Sequence, residues 1–330
     1  MTIQNSEIPI IDFEGFGDGT SQAIGEQFYA ACRDVGFAYL VNTGVPQEEV
    51  DAIFSWSNKF FKLPYDVKMT APHPPRGDQH RGYSGVGVEQ VSQMVFDEDK
   101  LHELRGKGAD FKESFDMGSG DSQRCQNVWI EDYYLPGFRA GAEHFMSIGR
   151  ALQEKALHAL ALGMPHVPTD FFDKYHTDAD NQLRLLHYPS APWSVFESGE
   201  KGRIGAHTDD VGGLEVESPS QPGTFIPAPP IKGAVVFNIG DFLMRWSNDE
   251  LHSTLHRVRA PSRRPEDGEM TRERFSIPYF CSANAHMTID ALPGTFGPER
   301  PKKYEPITAG EYVNMRLNAT YVGSGIKGSA

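Results

Sequence analysis

Apolar residues recur along the chain at two periods, and the change of period divides it. From Ser21, a side chain suited to a helix N-cap, Ile24, Phe28, Ala31 and Cys32 return at helical spacing until Gly36 stops the run. A second run follows Pro46, with Val50, Ile53, Phe54, Ser57 and Phe61 on one face and Pro64 at its end. Phe138, Ala142, Phe145, Ile148, Leu152, Ala156 and Ala159 predict a long amphipathic helix between Leu135 and Gly163 that backs a sheet. Between these runs, IPIIDF from Ile8 and GFAYLVNTGV from Gly36 read as strands, and the prolines of APHPPRGD from Ala71 as a loop.

After residue 180 the pattern shortens. LRLLHY, GGLEV, GTFIPA, GAVVFNIG, LHSTLHRV and RFSIPYF are β-like runs separated by turn residues, a spacing that suits an antiparallel sandwich or barrel. Thr308 to Thr320 then predicts a closing helix: Thr308 caps it, Glu311 stands three residues on, and Tyr312, Met315 and Leu317 can pack. The layout expected is helices first, a β core, and a last helix.

Composition narrows what such a chain can do. With Lys plus Arg at 31 and Asp plus Glu at 45, the formal charge is -14, which repels phosphate backbones and anionic membrane surfaces. Neither nucleic acid nor a membrane is expected as a partner; a small molecule is. A hydrophobic content of 39% with 21 Phe supports a packed core. Cys32, Cys125 and Cys281 are too scattered for a disulfide framework or a metal knuckle, which fits a reducing, cytoplasmic setting. There is no signal-peptide pattern and no long apolar run, and the expected state is a monomer or weak homodimer.

Two HxD triplets stand out, His176-Thr177-Asp178 and His207-Thr208-Asp209. On a strand, residues i and i+2 point the same way, so an imidazole and a carboxylate at this spacing can share one metal. His176 lies in the polar FDKYHTDADNQ and reads as loop. His207 is flanked by glycines, and His256 in STLHRV can return on a neighbouring strand as a third ligand. Two imidazoles and one carboxylate leave open positions, the arrangement of non-haem Fe(II) oxygenases. In RFSIPYF, Arg274 and Ser276 face the same way, a fork and a hydroxyl suited to a carboxylate.

The order IPIIDF, GFAYLVNTGVP, FFKLP, RGYSG, KESFDMG, RLLHYP, GAHTD, NIGDFLMRWSND, STLHRV and RFSIPYF resembles the isopenicillin N synthase-like family of Fe(II)/2-oxoglutarate dioxygenases, from about Ile8 to Tyr321. RLLHYP, RWSND and KYEPITAGEY look most like the fungal branch that includes thymine hydroxylase. The resemblance implies a mixed α/β (α+β) protein: a double-stranded β-helix (jelly roll, cupin-like) with N-terminal helices and a C-terminal helix. It implies His207, Asp209 and His256 as iron ligands, with Arg274, Ser276 and Tyr188 on the distal carboxylate of 2-oxoglutarate. Phe280, Arg184 and Tyr83 fall near the substrate. The activity implied is oxidation, most often hydroxylation, of a small organic metabolite with O2, as 2-oxoglutarate becomes succinate and CO2. The alternatives are an iron oxidase that does not use 2-oxoglutarate and an inactive ligand-binding relative.

The sequence departs from the family in two places. The stretch from His256 to Arg274 carries a polar insertion, SRRPEDGEMTRER. After HTD, the family runs through a strand of about ten residues before its GGL turn, a usual strand length; here Asp210 and Val211 lead at once to Gly212. One core strand is therefore expected to be missing, through natural variation or truncation. The organisation expected is an N-terminal dioxygenase region over 1–125, a helix with the jelly-roll core and closing helix over 126–322, and a flexible tail over 323–330.

Overall fold

The computed structural model describes residues 7–17, 21–75, 79–88, 111–120, 125–178, 180–197, 213–258 and 268–320. In chain order its elements are β1 (Ile10–Asp12), α1 (Ser21–Asp34), β2 (Phe37–Val41), α2 (Gln47–Phe61), α3 (Tyr65–Lys68), β3 (Gly82–Ser84), β4 (Glu113–Gly118), α4 (Phe138–Gly163), β5 (Gln182–Tyr188) and α5 (Ser194–Glu197). There follow β6 (Leu214–Glu217), β7 (Phe225–Pro227), β8 (Val235–Asn238), α6 (Asp241–Trp246), β9 (His256–Val258), β10 (Arg274–Ser276), β11 (Tyr279–Phe280), β12 (Thr288–Ile289), β13 (Ile307–Thr308) and α7 (Ala309–Thr320). The protein is mixed α/β, with sheets that are mainly antiparallel.

The predicted helices form for the reasons their spacing gives. Ile24, Phe28, Ala31 and Cys32 bury one face of α1, and Gly36 takes φ +73° just beyond its end. Thr308 and Glu311 make a reciprocal cap on α7: Thr308 N–H donates to the Glu311 carboxylate (3.0 Å), and Glu311 N–H to the Thr308 hydroxyl (3.2 Å). In α4 the buried stripe is Phe138, Ala142, Met146, Gln153, Ala156 and Ala159. Phe145, Ile148 and Leu152 turn out to be only half-buried. Where α1 meets the end of α4, glycine lies on glycine: a Cβ on Gly163 would come 2.1 Å from the Gly25 carbonyl oxygen, and one on Gly25 2.9 Å from that of Ala159.

The N-terminal half supplies strands as well as helices: β1 and β2 fall where IPIIDF and GFAYLVNTGV predict them, and β3 and β4 are added to the expected layout. One sheet has the order β1-β2-β8, with β1 parallel and β8 antiparallel to β2. A second has the order β10-β5-β4-β3, with β11 also on β5; a third is β7-β6-β9. Ala38 and Leu40 of β2 pack into the cluster of α1 and α4, whereas Phe37 and Tyr39 join Leu214, Val216 and Val258 of the third sheet. The first sheet therefore lies between the helices and the third sheet. In the second sheet, Phe115, Met117, Leu183, Leu185 and Phe275 pack on Ile53, Phe60, Phe138 and Met146 of α2 and α4. Alternation turns the next residues to the opposite, interior face.

Several elements escaped the sequence pattern. β3 and β4 were not predicted; β4 alternates Glu113, Phe115, Met117 with Ser114, Asp116, but both sets are buried, so no apolar-polar contrast marks it. β8 ends before Gly240, and Asp241 opens the short α6. The connection after Asp209, where a strand is expected to be missing, lies outside the described residues, as does the 323–330 tail. Among the described residues, no helix is long and apolar enough to cross a membrane.

Candidate active site

One register carries the interior face of β5 and its partners. Tyr188 pairs with Arg274, Leu186 with Ser276 and Gln182 with Phe280; the same register reaches a bridge between Pro192 and Met270. In an antiparallel ladder, directly paired residues share a face. Arg274, Ser276 and Phe280 therefore stand in one row, beside Tyr188, Leu186 and Gln182. Arg274 is 3% exposed, Ser276 and Tyr188 are fully buried, and the Arg274 guanidinium carbon lies 5.2 Å from the centre of the Tyr188 ring. A cation taken out of water at such a cost calls for an anion or fixed dipoles. A planar fork, a hydroxyl and a phenol on one wall can grip a carboxylate through several directed bonds.

Arg184 is on the same face, and its role is partly fixed by a neighbour that sequence reasoning missed. Asp116 of β4 lies opposite it in register and accepts from Arg184 Nε at 2.6 Å and Nη2 at 3.0 Å. Gln182 Nε2 donates to the same carboxylate at 2.5 Å. Arg184 Nη2 also donates to His80 Nδ1 at 2.6 Å, which places the His80 proton on Nε2, because a guanidinium can only donate. Phe280, 48% exposed, presents an apolar ring along the same row.

Tyr83, expected near the substrate, lies on the other face. It pairs with Phe115, packs with Phe60 among the helix-side residues and donates its hydroxyl to Glu113 at 2.5 Å. The pleat sets this placement: Tyr83 occupies the helix-facing position of β3. It is thereby separated from Arg184 and Phe280. Glu113 also accepts from Lys68 Nζ at 2.7 Å and His187 Nδ1 at 2.7 Å, forming a buried network that the sequence did not signal. Burial would raise the Glu113 carboxyl, but the bonds from His187, Lys68 and Tyr83 outweigh it and hold it below its ordinary value.

Of the iron ligands expected, His207 and Asp209 lie outside the described residues. His256 starts β9, where it pairs with Val216 and meets the edge of Phe37. Its Nδ1 donates to the Thr254 carbonyl at 3.1 Å, leaving the lone pair on Nε2. Burial pushes its pKa down, against a smaller upward effect of that bond. A neutral ring oriented through Nδ1 fits a ligand of a first-row divalent metal. The other HxD triplet has a structural role. His176 Nδ1 donates to the Phe172 carbonyl at 2.8 Å, and the ring stacks with Trp246 at 6.5 Å.

Residues 8–132 match the family model described as non-haem dioxygenase in morphine synthesis N-terminal, and residues 180–283 that of the 2OG-Fe(II) oxygenase superfamily. The chain belongs to the 2OG-Fe(II) oxygenase superfamily and is a 2-oxoglutarate-dependent non-haem iron dioxygenase, using Fe(II), 2-oxoglutarate and O2 on a small molecule. It is 38% identical to the 2-oxoglutarate-dependent dioxygenase frbA of Dothideomycetidae sp. (strain 11243), over 95% of this chain and 97% of that protein. It is 36% identical to the proline hydroxylase buaE of Petromyces alliaceus, over 94% and 97%. Among solved structures, the full-length thymine hydroxylase of Neurospora crassa in complex with alpha-KG and thymine aligns with TM-score 0.82 and 36% identity, covering 94% of this chain and 96% of that one.

Proposed function

We propose that His207, Asp209 and His256 hold the Fe(II), that Arg274, Ser276 and Tyr188 hold the distal carboxylate of 2-oxoglutarate, and that a small organic metabolite of secondary metabolism is hydroxylated beside Arg184 and Phe280. The observation that carries this reading is the buried Arg274, with Ser276 and Tyr188 on the same interior face. Iron, when bound, supplies the O2 chemistry, with oxidative decarboxylation of 2-oxoglutarate. The chain's own residues bind and orient. Arg274 supplies a paired contact that fixes the direction of the co-substrate, and the burial of this wall keeps water from competing for it. Arg184 is already neutralised by Asp116, which favours a substrate that takes hydrogen bonds and an aromatic face over one that needs an open cation. The second and third sheets are the two sides of a double-stranded β-helix in this reading, and 126–322 is its catalytic part.

Purified protein with Fe(II), 2-oxoglutarate and ascorbate should release succinate. Panels of pyrimidines, amino acids and aromatic polyketides identify the substrate class by substrate-dependent release; the Neurospora crassa enzyme is solved with thymine and buaE is named for proline. His207→Ala and His256→Ala should each abolish tight Fe(II) binding, and His176→Ala should retain it. Loss of iron at His176 with retention at His207 would overturn the ligand assignment.

A further inference from the structure

We propose that His187, on the helix-facing side of β5, is a positioning residue for Arg274: it clamps β10 from behind and so sets the affinity for 2-oxoglutarate. The proposal rests on the reading of Arg274 as the co-substrate anchor. β10 spans three residues and pairs with β5 in the sheet order β10-β5-β4-β3. In so short a strand, what grips the residues on either side of Arg274 bears on the direction of its side chain.

Both neighbours are gripped by the same ring. Phe275, directly after Arg274, lies face to face with His187, with centroids 4.7 Å apart and planes at 15°. Glu273, directly before it, accepts from His187 Nε2 at 3.2 Å. The other ring nitrogen, Nδ1, donates to Glu113 of β4 at 2.7 Å. Positions 273 and 275 face the helices and position 274 faces the interior, so holding the odd positions fixes the direction of the even one. Each ring nitrogen meets a carboxylate, so making both bonds takes the doubly protonated ring.

The clamp is itself anchored. Glu113 accepts from Lys68 of α3, whose amine also donates to the Phe61 carbonyl at 3.1 Å, and from Tyr83 of β3. Among the described residues, Glu113 and Glu273 are the carboxylates that His187 meets, and Lys68 is the amine that Glu113 meets. An unbroken line of directed contacts thus runs from the end of α2 through α3, β3, β4 and β5 to the strand that carries Arg274.

Two variants test it. Glu273→Gln alters a side chain that is 48% exposed and leaves the core packing alone; His187→Phe keeps the stacked ring and removes both hydrogen bonds. Calorimetry of 2-oxoglutarate binding to the Mn(II)-loaded protein should show a dissociation constant raised about three-fold in the first and about five- to twenty-fold in the second. The effect of Glu273→Gln should vanish in the His187→Phe background, because one ring carries both. Uncoupled succinate formation should show a raised KM for 2-oxoglutarate, with the rate at saturation kept within about two-fold. Wild-type affinity in either folded variant overturns the clamp, and so do additive effects in the double variant. Unchanged affinity in Arg274→Lys sinks the anchor reading instead, which keeps the two failures apart.

Discussion

The two faces of β4 and β5 are built to opposite rules. Toward the helices, Phe115, Met117, Leu183 and Leu185 are apolar, and the polar groups among them close on one another: Glu113 is satisfied by Lys68, Tyr83 and His187. Toward the interior, the same two strands present Ser114, Asp116, Gln182, Arg184 and Tyr188, with Arg274 and Ser276 alongside. Both faces bury charge: Glu113 and Lys68 on the helix side, Asp116, Arg184 and Arg274 on the interior side. Replacing a buried ion pair by apolar residues is often neutral or stabilising, so the Arg184–Asp116 pair is not explained by stability alone. The contrast is between a largely apolar face that closes one polar network and a largely polar face that carries an ion pair and Arg274.

The most severe way to break this contrast is at its closed side. Glu113→Leu strands Lys68 and His187 in the core and should lower the unfolding free energy by about 3–5 kcal/mol in urea titration; a loss under about 1 kcal/mol would mean that the network does not stabilise the fold. The matching change on the interior removes both partners at once. Asp116→Leu with Arg184→Met should leave stability unchanged or raise it by about 1–4 kcal/mol, while substrate-dependent succinate release disappears. If the double variant unfolds, the interior pair is structural after all.

Arg274→Lys keeps the charge and loses the fork, and the co-substrate should bind more weakly by about 1.5–3 kcal/mol, roughly 10- to 150-fold in the dissociation constant. Titration calorimetry reads this directly, and unchanged affinity would direct the search to Arg272. The smallest effect is one of pH. Glu113 is held below its ordinary 4.5 in the folded state. A carboxyl depressed on folding stabilises fully above its unfolded value and loses that contribution as pH falls through the folded one. Each unit of depression is worth about 1.4 kcal/mol. Stability should therefore decline on acidification below about pH 4.5, and Glu113→Gln should flatten that decline in urea midpoints taken along a pH series. A steeper decline in the variant would reverse the sign assigned here.

Periodicity revealed the elements whose two sides differ. α1, α2, α4 and α7 each have a wet and a dry face, and their spacing was legible from Ile24, Ile53, Ala142 and Tyr312. β4 was not, because burial on both faces removes the contrast on which pattern reading depends. The same holds for the site. Arg274, Ser276 and His256 are candidates that i, i+2 spacing and ordered motifs single out, whereas the contacts of Asp116, His80 and His187 join residues far apart in the chain. The face on which Tyr83 lies was not legible for the same reason: proximity in a motif does not say to which side a pleat turns the ring.

The crossing of α1 over α4 also limits how this chain can vary. Most packing positions can drift in pairs, one residue growing as its neighbour shrinks. At Gly25 and Gly163 that exchange is closed, since each already has the least possible side chain and the nearest atom opposite each is a main-chain oxygen. A mutational path through either position thus requires the helices themselves to move apart, which makes the join between the first helix and the longest one a fixed point of the chain's variation.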